Sequence, residues 1–167
     1  MKKVGSFVVV FILIWAYRFA NHNRRNNIEQ NVETSSANKV SVILKAANSY
    51  LGTPYKFGGT TANGMDCSGL VYTVFKEELG VTLPRSSRSM SSEGKKITLE
   101  NIKKGDLLFF DIPTMHGDVN HVGLVNSTKS NTIKFIHSST SKGVVISSLD
   151  ESYWKEAFAF AKRIDIN

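Results

Sequence analysis

The periodicity of apolar residues changes once along this chain, and that change limits the folds open to it. Between residues 40 and 79 apolar side chains recur at helical spacing; after Gly105 they come in short runs separated by polar turns. Positions 40, 43, 44, 47 and 51 mark one helix, which Gly52 can end. Leu70, Val71, Val74 and Phe75 mark the face of a second, opening at Asp66, running to Leu79 and leaving at Gly80. A short third helical piece is expected over 87–93, and residues 53–64, rich in Gly and Thr, read as a loop or irregular extended segment. The runs 107–110, 121–126, 132–137, 144–147 and 158–164 read as strands. Helices first and then successive short strands predict an α+β fold with a five- to six-stranded antiparallel sheet, not a doubly wound one.

The remaining chain reads differently. Two lysines precede an apolar stretch at 7–16, and the generous span 4–17 is 14 residues, short of the ~20 that cross a bilayer as a helix. Residues 1–20 are expected to be an export signal or a membrane anchor, with cleavage left open, and no cysteine there can carry a lipid. Residues 21–39 hold only Ile28 and Val32 as apolar anchors and are expected to be a flexible polar linker before a domain at 40–167. The formal charge of +7 is concentrated at the front: 1–39 carry six Lys/Arg against two Glu, 40–167 fifteen against twelve. The domain therefore shows no basic footprint calling for nucleic acid.

Cys67 is the one cysteine, so no internal disulfide is possible. It follows the expected N-cap Asp66, and a thiol in a first helical turn sits where free N–H groups and the helix dipole favour the thiolate. Ser68 and Gly69 beside it are small enough to let a substrate carbonyl approach. A nucleophilic cysteine needs a base and a third group to hold that base. Of four histidines, His22 falls in the linker and His116 in a polar loop, whereas His121 and His137 fall on neighbouring strands. Setting His121 directly opposite His137 puts both on one face and leaves residues 128–130 as a three-residue hairpin loop. A metal reading of His116, Asp118 and His121 competes with this, without an obvious further ligand. Gly58 to Gly64 lacks the ending of a phosphate loop.

Six segments in order carry a family resemblance: Gly52-Thr53-Pro54-Tyr55-Lys56-Phe57-Gly58-Gly59, Asp66-Cys67-Ser68-Gly69-Leu70-Val71, Leu83-Pro84-Arg85-Ser86, Gly105-Asp106-Leu107-Leu108-Phe109-Phe110, His121-Val122-Gly123-Leu124-Val125 and Phe135-Ile136-His137-Ser138-Ser139. Over residues 46–164 the chain resembles the NlpC-type cysteine peptidases, papain-like hydrolases of bacterial cell-wall peptides. Its segment 137–148, with Tyr153 and Trp154 after it, is similar to the Spr-type murein endopeptidases. The resemblance implies Cys67 as nucleophile, His121 as base and then acid, and His137 as the residue orienting His121. It also places Tyr55 beside the cysteine, where its hydroxyl supports the oxyanion or substrate, or its ring packs on the helix. Arg85 binds a stem-peptide carboxylate or is solvated, and Asp66 caps. The implied substrate is peptidoglycan, cut at the D-alanyl–diaminopimelate crosslink or at a γ-D-glutamyl–diaminopimelate bond without metal or organic cofactor; the apolar run at the front places the expected site of action in the cell envelope, and a monomer is favoured although the sequence does not give the oligomeric state. An acyltransferase or a non-catalytic wall-binding protein on the same fold are the rival readings.

Overall fold

The computed structural model describes residues 5–129 and 132–166. Contacts divide the chain into a unit ending at Asn38 and a compact one, Lys39–Ile166. The helix α1, Gly5–Ser49, corrects two expectations. Residues 21–39, expected to be a flexible linker, are helical, and the helix expected to begin at residue 40 begins much earlier. The stretch has no Gly or Pro to stop propagation, so an exposed helix needs no apolar face once it is nucleated elsewhere. Of the proposed leader, residues 1–4 lie outside the described residues. Among the described residues no helix is long and apolar enough to cross a membrane. Within the first unit Trp15 stacks on Phe19 at 5.6 Å, and both are exposed.

In the compact unit the end of α1 buries Ile43, Leu44 and Ala47, three of the five positions that carried the helical spacing; Val40 is partly buried, and Leu51 lies past the end of the helix at Ser49 and is exposed. The segment expected to be irregular contains a minimal hairpin, β1 (Thr60–Thr61) and β2 (Gly64–Met65). It leads directly into α2, Cys67–Leu79, capped by Asp66 in front and by Gly80 behind at φ 67°. Leu70, Val71, Val74 and Phe75 are almost fully buried, as their spacing requires. The third helix, α3, is a single turn, Ser87–Met90.

Six antiparallel strands form the sheet in the order β3-β8-β4-β5-β6-β7. These are β3 Lys95–Ile97, β4 Leu107–Phe110, β5 His121–Ser127, β6 Lys134–Ser139, β7 Gly143–Ser148 and β8 Phe158–Arg163. Five follow the expected runs within two residues; β3 is an edge strand whose Lys-Lys-Ile carried no alternation to find it by. One turn of helix, α4 (Ser152–Ala157), was also not expected. The core lies on both faces. Cys67, Leu70, Val71, Val122, Leu124 and Ile136 share one cluster, while Phe110, Val125, Phe135, Trp154 and Ala161 share another. A fold with α2 laid across β5 and β6 brings a helix start and two strand ends together.

The β5–β6 register corrects the direct opposition of His121 and His137. Leu124 pairs with Ile136 and Val125 with Phe135, and a bulge intervenes before Ser127 pairs with Lys134. Carried along the strands, this sets His137 across from Gly123 and makes His121 its diagonal neighbour on the same face. Without a side chain at Gly123 the diagonal is open: a Cβ there would lie 2.4 Å from Phe135 Cδ2 and 3.4 Å from His137 Cβ.

Candidate active site

The site begins with the cap of α2. Asp66 Oδ1 accepts from the Gly69 N–H at 2.6 Å, holding the first turn, and Oδ2 accepts from the Gly58 N–H at 2.7 Å, tying in the preceding loop. Arg85 completes this anchorage, with its side chain partly exposed on the cavity that Cys67 lines. Its Nη1 donates to Asp66 Oδ1 (2.7 Å) and Ser68 Oγ (3.0 Å), and its Nη2 to Asp66 Oδ2 (2.9 Å) and the Gly59 carbonyl (3.0 Å). A guanidinium fork matches a carboxylate in two places at once, so the buried Asp66 charge is neutralised where it caps. Ser68 belongs to the same cluster through its hydroxyl, which leaves its backbone N–H as the part of Ser68 available to a substrate.

Cys67 is 9% exposed and lines a cavity of about 390 Å³ with Tyr55, Ser68, Arg85, Asn120 and His121. Tyr55 lines this cavity with Cys67; burial, then the Cys67 and Asp66 charges, push its phenol up. The thiol itself corrects the expectation of a favoured thiolate. Burial pushes it up, and Asp66 adds to that, outweighing the N–H groups of Val122, Ser68 and Cys67, which favour the anion. His121, the first residue of β5, is 5% exposed, and burial lowers its pKa to about 4. His137 on β6 is 1% exposed and is lowered to about 3 by burial and then by His121. The resting pair is therefore thiol and neutral imidazole.

His121 Nε2 lies 3.0 Å from His137 Nδ1, with the rings nearly perpendicular. That bond occupies one nitrogen of His121 and leaves Nδ1 for the cavity. Two residues of this cluster were not found from sequence. Trp154 of α4 stacks on His121 at 5.3 Å and meets His137 edge-on at 4.6 Å. Ser147 Oγ lies 3.0 Å from His137 Nε2. Both had a signal only in the resemblance of the tail, 137–148 with Tyr153 and Trp154, which gave neither of them a role.

The loop between β4 and β5 forms the cavity rim. Asn120 organises it, accepting from the Ile112 N–H at 2.9 Å and donating to the carbonyls of Ile112 (3.0 Å) and Gly117 (2.9 Å). Val119 beside it has φ 51°, unusual for a branched residue, and its carbonyl accepts from Ser87 Oγ at 2.8 Å. His116 is exposed on this loop, away from His121's buried setting. Among the described residues no group of three or more His, Cys, Asp or Glu is arranged to hold a metal ion.

A cysteine at a helix start, a histidine on the same cavity and a second histidine bonded to the first are the parts that a nucleophile, its base and an orienting group would need. The NlpC/P60 family profile matches residues 52–163, which contain all of them. The chain belongs to the NlpC/P60 family. Among its relatives, the Escherichia coli protein named murein DD-endopeptidase MepS/murein LD-carboxypeptidase is 34% identical over 145 residues, 87% of this chain and 71% of that one. The γ-DL-glutamyl hydrolase of Bacillus subtilis is 40% identical over 124 residues, 74% of this chain but 29% of that one. The crystal structure of an NlpC/P60 family protein from Bacillus cereus is 33% identical with a TM-score of 0.66, over 74% of this chain and 39% of that one. This NlpC/P60 chain thus spans about two fifths of that solved chain and most of the E. coli relative.

Proposed function

We propose that this NlpC/P60 protein is a peptidoglycan endopeptidase that uses Cys67 as nucleophile, with His121 as its base and His137 orienting His121. The observation carrying this is the meeting of Cys67 and His121 on one cavity while His121 Nε2 is held by His137. The Cys67 thiol passes its proton to His121 Nδ1 as sulfur attacks an amide carbonyl, and N–H groups at the start of α2 receive the oxyanion. His121 returns the proton to the leaving amine. Water, deprotonated by His121, then releases the acyl group and restores the thiol. Because burial disfavours both ions, the thiolate–imidazolium pair forms on the reaction path and not at rest.

For the bond, the D-alanyl–diaminopimelate crosslink is the preferred target. The relative named as a DD-endopeptidase aligns over 87% of this chain, against 74% for the glutamyl hydrolase. The apolar run at 7–16 behind Lys2 and Lys3 supports action in the cell envelope, after export or at a membrane.

Digestion of purified peptidoglycan by the full chain and by Cys67→Ala, resolved by mass spectrometry, tests this. Wild type converts crosslinked dimers to intact monomers, and Cys67→Ala leaves the dimers. Fragments beginning at diaminopimelate would move the bond to the γ-D-glutamyl position. Equal digestion by both proteins would remove Cys67 from the mechanism.

A further inference from the structure

The line His121–His137 does not stop at the second imidazole. His121, His137 and Ser147 occupy one face of three adjacent strands, each diagonal to the next: His137 pairs with Val145 in the β6–β7 register, and Ser147 lies two residues farther on. The bonds along this diagonal are both 3.0 Å, His121 Nε2 to His137 Nδ1 and His137 Nε2 to Ser147 Oγ. Beyond them a second cavity of about 300 Å³, lined also by Trp154, Lys142 and Glu151, borders the far side of the pair.

Only one proton arrangement along this line suits a base. If His121 is to accept from the thiol at Nδ1, its single proton must sit on Nε2 and be donated to His137 Nδ1. His137 must then carry its own proton on Nε2, and that proton needs an acceptor. Ser147 Oγ, 3.0 Å from that nitrogen, can accept it. In the reverse arrangement Ser147 donates, His137 donates from Nδ1, and His121 presents an N–H to the sulfur, which removes the base. The first arrangement also survives protonation of His121, since no proton behind it has to move.

We propose that Ser147 is a positioning residue of this site: by accepting the His137 Nε2 proton it holds both imidazoles in the tautomer that leaves His121 Nδ1 free to deprotonate Cys67. The inference rests on the Cys67–His121 reading above. Removing the hydroxyl takes from the His137 Nε2 proton the acceptor that the fold supplies, which weakens the preference for this tautomer.

The test uses the full chain with ¹⁵N-labelled histidine. Long-range ¹H–¹⁵N spectra read the tautomer of each ring, iodoacetamide alkylation at neutral pH reads the Cys67 thiol without any wall substrate, and kcat and KM are read on a crosslinked muropeptide. In wild type and in Ser147→Thr, both rings are protonated at Nε2. In Ser147→Ala, His137 shifts toward Nδ1–H, alkylation slows, and kcat falls about tenfold with KM unchanged, as for loss of one hydrogen bond of ordinary strength. Ser147→Asp, which can only accept, keeps the wild-type tautomer and keeps activity. A Ser147→Ala protein with wild-type tautomers and wild-type kcat overturns the proposal, as does a Ser147→Asp protein that folds but has lost alkylation. Should the muropeptide stay uncut by every form while the tautomer and alkylation changes appear, the substrate reading fails and the role of Ser147 stands.

Discussion

At the scale of single residues, burial weighs against charge on both members of the proposed pair, Cys67 and His121. His121 is lowered to about 4 by desolvation. A base so placed is active only when neutral, so the acid limb of kcat/KM follows His121 in the free protein. We expect kcat/KM on a muropeptide to change little from pH 7 to 5 and to be lost near pH 4. A profile falling through pH 6.5, the ordinary imidazole value, would mean that the pair is more hydrated than its burial indicates. The placing of Cys67 at a helix start and of His121 and His137 on neighbouring strands was legible because the cues for each are local: a cap before a helical face, and alternation along a strand. The charge state was not legible. A helix start argues for the thiolate, and only the surroundings of Cys67 show that desolvation outweighs it.

At the scale of elements, the start of α2 is a joint between helix, loop and the segment before α3. Gly69 sits in it with no room to spare: a Cβ would fall 2.1 Å from the Gly59 carbonyl, 2.8 Å from Arg85 Nη2 and 2.9 Å from Asp66 Oδ1. Gly69→Ala must push helix and loop apart and loosen the Arg85 fork. The expected cost is about 1–3 kcal/mol, the range for overpacking, read as a lower midpoint in urea, with a larger fractional loss of activity than of stability. Arg85 itself could not be placed from sequence, since its partners Gly59, Asp66 and Ser68 lie 17 to 26 residues away and nothing local names them. The strand register was half legible. Even parity was enough to put both histidines on one face, but the bulge between Val125 and Ser127 sets which residues oppose. The Ser127–Lys134 pairing carried inward without that bulge would put His121 and His137 on opposite faces. Ser147 depends on a further register, β6 on β7, and Trp154 on a turn of helix with no periodicity to mark it.

At the scale of the whole molecule, the two buried histidines couple the site to stability. Their folded values, about 4 and about 3, lie below the unfolded value near 6.5, so between these limits the unfolded chain binds more protons than the folded one. Stability therefore rises with pH. The contribution is complete above pH 6.5 and is lost progressively as pH falls toward 4, on the order of a few kcal/mol in total for each ring. Thermal unfolding of the full chain should show Tm dropping from pH 6.5 to 4, and His137→Gln should flatten part of that drop. The α+β class was legible from the order of helical and alternating runs. The helix through residues 21–39 was not, because composition alone argues against burial there and says nothing of a helix that buries little.

The indole of Trp154 lies against both imidazoles, at 5.3 Å and 4.6 Å between ring centroids. A protonated imidazole accepts an electron from an excited indole and a neutral one does so poorly, so the residue is an optical gauge of the charge beside it. The chain has two tryptophans, the other being the exposed Trp15. In a Trp15→Phe protein, emission should dim as pH falls through the His121 value near 4, before the signal of unfolding, and a steady emission there would place the proton elsewhere.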